Sequence, residues 1–251
     1  MNILKDIWLL FIRHFKKSMR SPVWLIMGLM QPVLYLVLYM PLLKNMGNAA
    51  MPTGEVVRIF VPGMLVIMAM GMLFAGFSFI DEIRQGLIAR WLVTPTTRVG
   101  IIMSLVCSQV LILVLQSSLL LVIALFLGLH VPIIGILLTI ILILLIGITM
   151  SCFSYAISIS VKDEGVLASI TQTFFLPLML LSGIMLPIAF APHWMQVMAK
   201  FNPFYYAVEA SRSLFAGNYA DMIILKGFAV VVPFTLFSVW MAVRSLNRMS
   251  I

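Results

Sequence analysis

DEIRQGLIARWLVTPTTR, residues 81–98, is a charged island set between two long apolar stretches. A plain turn between membrane-crossing helices needs only a few polar residues. This one is helix-sized and has apolar positions of its own at Ile83, Leu87, Ile88, Trp91 and Leu92, with Thr94-Pro95 after them. Proline disfavours the helical region for the residue before it, so the island reads as a short helix with a stop. A helix lying across the cytoplasmic face of a membrane is a handle that another protein can grip.

The flanking stretches decide the class. The 251 residues are 63% hydrophobic and only 10% charged, with a mean hydropathy of +1.16. A soluble domain of this length needs far more polar surface, so the composition predicts an all-α integral membrane protein. The net charge of +8 does not point to nucleic acid, because the basic residues lie between apolar stretches and form no soluble face. Anionic headgroups and membrane orientation account for them. Cys107 and Cys152 both fall inside apolar stretches, without CxxC spacing, and read as small packing residues. No cleavable signal is expected, since the first apolar stretch follows about twenty mixed residues and is long enough to cross.

A crossing helix needs about 20 apolar residues. Six stretches qualify: residues 23–43, 59–80, 99–129, 133–161, 166–186 and 222–243. Gly128-Leu129-His130-Val131-Pro132 carries so little polar sequence that the third and fourth spans form a tight hairpin. No repeat or linker divides the chain, so residues 1–251 read as one membrane domain. Lysine and arginine set the orientation. With the N-terminus in the cytoplasm, the inner segments hold Lys5, Arg13, Lys16, Lys17, Arg20, Arg84, Arg90, Arg98, Lys162, Arg244 and Arg248. The outer segments hold Lys44, Arg58, Lys200, Arg212 and Lys226. Both termini and the island are then cytoplasmic, and a plasma-membrane location is expected.

Residues 1–21 place Ile3, Ile7, Leu10 and Phe11 at helical spacing among Lys5, Arg13, Lys16, Lys17 and Arg20. This is the pattern of a helix lying in the headgroup layer; the alternative is an unstructured basic tail. Between spans five and six, residues 187–221 are too apolar for a solvated loop, with Phe190, Trp194, Phe201, Phe204, Tyr205, Tyr206, Leu214 and Phe215 among them. Pro192 and Pro203 each suit a helix start. Two short re-entrant helices dipping into the outer leaflet would bury those side chains; the alternative is an aromatic belt at the interface.

Catalytic chemistry is not apparent. His14, His130 and His193 lie in three separate segments, giving neither a metal cluster nor a catalytic base. No GxxxxGK[ST] phosphate loop occurs, so no P-loop ATP site is expected on this chain. All eight acids (Asp6, Glu55, Asp81, Glu82, Asp163, Glu164, Glu209 and Asp221) sit at span ends or outside spans. Ion-coupled carriers keep an ionisable group near the midplane, which argues against that class and implies energy supplied from elsewhere.

Several segments together resemble the type-2 ABC exporter permeases, especially the daunorubicin-resistance-like drug and polysaccharide exporters. They are Arg20-Ser21-Pro22, Phe60-Val61-Pro62-Gly63, the island ending Leu92-Val93-Thr94-Pro95, Leu186-Pro187 with Trp194, and Asn202-Pro203-Phe204-Tyr205-Tyr206 followed by Glu209 and Arg212. Their order and placement carry the resemblance over nearly the whole chain. It implies a dimer of six-span subunits, with a like or different second permease, each seated on a separate ABC ATPase that binds ATP and Mg2+. This chain would hold no cofactor. It also implies that the island is the coupling helix, with Ile83, Arg84, Gln85, Gly86, Leu87, Ile88, Arg90, Trp91, Thr94 and Pro95 at the ATPase. One departure stands out: relatives often show Gly-Thr-apolar-Glu where this chain has Gly86-Leu87-Ile88-Ala89.

A route for substrate is suggested by spacing. Gln31, Tyr35 and Tyr39 share one face of span one, Met64, Met68 and Met72 one face of span two, and span five offers Ser169, Gln172 and Thr173. A polar-aromatic stripe beside adaptable methionines suits a hydrophobic or amphiphilic compound such as a drug, peptide, lipid or glycan, although such stripes also serve helix packing. Glu209 and Arg212, three apart, form either an intrahelical bridge or an outer-gate contact. Two competing readings are a membrane scaffold or sensor that binds an ATPase without a pathway, and an ion-coupled carrier.

Overall fold

The computed structural model describes residues 8, 10–16, 22–44, 53–88, 98–184, 188 and 191–248. Among these the only regular structure is helical: α1 (Pro22–Lys44), α2 (Thr53–Met70), a 3-10 segment (Gly71–Ala75), α3 (Gly76–Arg84), α4 (Arg98–Phe126), α5 (Ile133–Val161), α6 (Glu164–Leu181), α7 (His193–Ala199), α8 (Pro203–Ala216) and α9 (Met222–Asn247). Five stretches of the described residues are long and apolar enough to cross a membrane: Val56–Arg84, Val99–Phe126, Ile133–Val161, Glu164–Leu181 and Met222–Asn247. A shorter apolar helix, Gly28–Leu38, lies within α1. The chain is an all-α, multi-pass membrane protein.

Local chemistry places the breaks. Asp163 accepts a hydrogen bond from Val166 N at 2.9 Å and starts α6. Asn202 does the same for Phe204 N at 3.0 Å, with Pro203 in the first helical position of α8. Asp221 opens α9 by accepting from Ile223 N at 3.3 Å. Pro192 precedes α7. The two short helices expected from Pro192 and Pro203 are therefore α7 and α8.

Helix α5 is the axis of the bundle, packing against α9, α8, α2, α3, α4 and the 3-10 segment. Its serines, threonines and glycines permit that closeness, as small residues do between membrane helices. Thr149 and Thr235 share a hydrogen bond at 2.8 Å across the α5–α9 contact. On α2, every residue from Val61 to Met70 is buried. Two clusters of buried apolar side chains result. One gathers Val61, Leu65, Leu142, Ile146, Phe204 and Val231 at the end bearing the turn at 127–132. The other gathers Phe79, Ile88, Ile101, Ile102, Tyr155 and Leu246 towards the end bearing residues 162–163.

Three boundaries differ from the sequence reading. The stretch at 59–80 is not one uniform α-helix but passes through the 3-10 segment. The stretch at 166–186 stops as a helix at Leu181 and turns at Ser182-Gly183. The helix expected to run to Leu129 ends at Phe126, with a turn at 127–128. Helix α8 also does not cap the bundle from above. Its first aromatic, Phe204, meets Phe234 edge-on at 6.4 Å between centroids, twelve residues or about 18 Å into α9. It therefore lies alongside the first half of α9 and contributes Phe204, Ala207, Val208 and Phe215 to the core.

In the expected N-terminal helix, residues 10–16 are helical, and the bare-tail alternative does not hold for them. Leu10 packs against the second cluster and His14 is buried, so this face meets protein. Trp8 and Ile12 remain exposed, with Trp8, Phe11 and Phe15 stacked in a row at 5.6 and 6.0 Å.

Candidate functional site

The island begins as the end of α3 and turns at Gln85 and Gly86, where Gly86 takes a left-handed conformation with φ +69°. Gln85 N donates to Asp81 O and Gly86 N to Ile83 O, each at 3.0 Å, which satisfies two of the last four carbonyls of the helix. Arg90, Trp91, Thr94 and Pro95 lie outside the described residues. Of the rest, Asp81, Arg84 and Gln85 are exposed, Ile83, Gly86 and Leu87 are half-buried, and Ile88 is buried at 1% exposure. Ile88 belongs to the chain's own core cluster, with Ile83 and Leu87 packed against it. Their apolar surface is thus engaged within the chain, because the turn at 85–86 folds the segment back onto the bundle.

Two ion pairs tie the root of the island to its neighbours. Arg84 Nη1 donates to Glu164 Oε1 at 2.6 Å, and Arg84 Nη2 lies 3.9 Å from Asp163. This joins α3 to the start of α6. Beside it, His14 Nδ1 lies 3.5 Å from Glu82 Oε1, and both side chains are almost fully buried. The His14–Glu82 contact was not legible in the sequence, where His14 reads as isolated and Glu82 as one acid among several. The one available signal was that Leu10 and His14, four apart, share a helix face.

The pathway candidates are not gathered into one place. Gln31 and Tyr35 line an open groove of about 420 Å3 with Met30, Leu34 and Leu38, all on α1. Tyr39 lies on the same helix. Met64 and Met68 are buried, and Met72 packs against the same cluster. Ser169, Gln172 and Thr173 are exposed along α6. Ser169 Oγ donates to Gly165 O at 3.0 Å and Thr173 Oγ1 to Ser169 O at 2.7 Å, so both hydroxyls are satisfied by their own helix. The rest of α6 is as open, with only Leu167 and Thr171 buried along its length.

Glu209 and Arg212 do meet, at 2.7 Å between Oε1 and Nη1. The arginine goes further than an intrahelical bridge. Its Nη2 donates to Gly183 O at 2.8 Å and Ile184 O at 3.3 Å, and its Nε donates to Ile59 O at 3.4 Å. Gly63 makes the approach possible: a Cβ there would stand 2.7 Å from Ile184 O.

A helical bundle with a broken second span, a short helix α8 laid against its last span, and a charged turn tied to the fifth is the architecture of a polytopic membrane protein. The chain belongs to the ABC-2 type transporter family, whose model matches residues 5–216; it is a membrane permease subunit of an ABC transporter. A protein of Cyanophora paradoxa named "Putative transport permease ycf38" is 28% identical over 225 residues, covering 85% of this chain and 75% of that one. Proteins of the same name from Porphyra purpurea and Pyropia yezoensis are 28% and 26% identical, each covering 89% of this chain and 79% of theirs. Family membership implies an ABC ATPase partner and a dimeric permease.

Proposed function

We propose that this chain is the six-span permease of an ATP-driven exporter that moves a hydrophobic or amphiphilic compound out across the plasma membrane. The observation that carries this reading is the family match, which runs from the N-terminal stretch through α8. Both termini and the island then face the cytoplasm, in keeping with eleven basic residues inside against five outside among the sixteen. ATP and Mg2+ belong to the separate ATPase, and this chain supplies no nucleotide site. Residues 81–98 act as the coupling helix. Because Ile88 is buried, contact with the ATPase falls to Arg84 and Gln85 and to the segment that includes Arg90, Trp91, Thr94 and Pro95.

The half-open α6 supports a dimer. A helix with few buried residues and an exposed polar stripe is poorly matched to lipid, and a second permease subunit would cover part of it. The α1 groove at Gln31 and Tyr35, with Tyr39, and the α6 stripe at Ser169, Gln172 and Thr173 then face a shared route between subunits. Met64, Met68 and Met72 shape its wall from behind. The test is reconstitution in proteoliposomes with the ABC ATPase subunit and a fluorescent amphiphilic dye. ATP-dependent dye movement that falls with Gln31→Leu or Tyr35→Ala supports the pathway. Binding of the ATPase with no ATP-dependent movement of dye, lipid or peptide argues instead for a scaffold.

A further inference from the structure

The last carbonyls of a helix have no intrahelical partner, and within a membrane the lipid offers none. Helix α6 ends at Leu181, and four carbonyls around its end are taken by side chains. Asn202 Nδ2 donates to Leu178 O at 2.8 Å, Ser182 Oγ to Met179 O at 2.6 Å, and Arg212 Nη2 to Gly183 O and Ile184 O. Asn202 and Arg212 stand at the start and near the end of the α8 segment. The arginine side chain is only 12% exposed, is neutralised by Glu209, and reaches α2 through Ile59 O. One side chain thus fastens α8, the end of α6 and α2 together.

From this geometry we infer that Arg212 is a releasable clasp, a positioning residue that holds α8 on the end of α6 while the substrate route is closed at this side and lets go when it opens. The fastening is a property of this chain, and its release rests on the permease reading. A guanidinium suits the task. It satisfies several carbonyls from a rigid fork without covalent linkage, and carbonyl bonds can be exchanged for water as a route opens.

The full chain carrying Ser182→Cys, in lipid nanodiscs with and without its ABC ATPase, tests both steps. N-ethylmaleimide uptake at position 182 is read by peptide mass spectrometry, which separates it from Cys107 and Cys152. In the chain alone the buried thiol is expected to be protected, with Arg212→Met raising its labelling about tenfold and Arg212→Lys raising it less. In the complex, a nonhydrolysable ATP analogue is expected to raise labelling by a similar factor in the parent and to add little to Arg212→Met. Labelling indifferent to Arg212→Met, in a variant with parental thermal stability, overturns the clasp. Should Arg212→Met not fold, the same comparison is made with Arg212→Lys. Labelling that responds to the substitution but never to nucleotide shows a permanent staple and overturns release. Failure to bind any ABC ATPase overturns the permease reading, and the release step with it, but leaves the nucleotide-free comparison as the measure of the clasp.

Discussion

Gly76 and Ser154 meet where the second span changes its winding: Gly76 N donates to Ser154 Oγ at 2.8 Å, and the same hydroxyl donates to Leu73 O. The 3-10 segment at 71–75 alters the backbone pairing of a straight helix, and α5 supplies a single hydroxyl that serves a donor and an acceptor there. A Cβ on Gly76 would collide first with Ser158 Oγ and would also lie 2.6 Å from Ser154 Oγ and 2.8 Å from Ser154 O, closer than real carbon atoms stand. Glycine at 76 and serine at 154 are one device.

Ser154→Ala is expected to lower stability by about 1–3 kcal/mol, since it leaves buried backbone groups unsatisfied. Gly76→Ala is expected to cost about 1–3 kcal/mol by overpacking. Because the two residues share this contact, the double variant should depart from additivity. Thermal unfolding in nanodiscs across the four proteins checks this; additive losses would separate the two roles.

Ile88 offers a direct choice between core and partner surface. Its burial predicts that Ile88→Ala destabilises the chain by about 2–5 kcal/mol, whereas exposed Gln85→Ala leaves stability within about 0.5 kcal/mol. The measurement is unfolding of the purified chain without ATPase. Parental stability for Ile88→Ala would return that side chain to the docking surface.

Arg84, half-exposed beside Glu164, is expected to contribute about 0–1 kcal/mol, as exposed pairs do. Arg84→Glu should therefore leave unfolding nearly unchanged. If α3 and α6 move together during transport, the same variant lowers ATP-dependent dye movement in vesicles, and adding Glu164→Arg restores part of it. Transport at the parental rate in Arg84→Glu would show that the pair transmits nothing.

The turn between α5 and α6 is improvable on one side and fragile on the other. Lys162 holds a left-handed conformation at φ 55°, so Lys162→Gly is expected to raise stability by about 1 kcal/mol. Asp163→Ala removes the cap on Val166 N and is expected to lower it by about 1 kcal/mol. Opposite shifts in melting temperature would confirm the pair of assignments.

Much of the architecture was legible because its signals are local. Apolar runs of crossing length, Pro192 and Pro203 as helix starts, and the tight turn at 128–132 all depend on residues near one another in sequence. The 3-10 segment at 71–75 was not legible, since its sequence GMLFA has no proline and reads as ordinary apolar helix. What singles it out is Ser154, on another helix. The island was legible only in part: Leu87 and Ile88 stand out as apolar within a charged segment, and only folding shows that the turn at 85–86 packs them against the chain's own core.

The candidate site divides along the same line. Glu209 and Arg212, three apart on one helix, could be paired from spacing alone. That the arginine also reaches Gly183, Ile184 and Ile59, or that Glu82 meets His14, could not be. Composition and charge by themselves determined that this chain lives in a membrane, where its helices fall and how they are expected to point, because transfer into lipid sums over neighbouring residues along one segment. The tertiary structure alone decided which polar groups are engaged, since a hydrogen bond is short and directional and depends on the register between helices that the order of residues does not state.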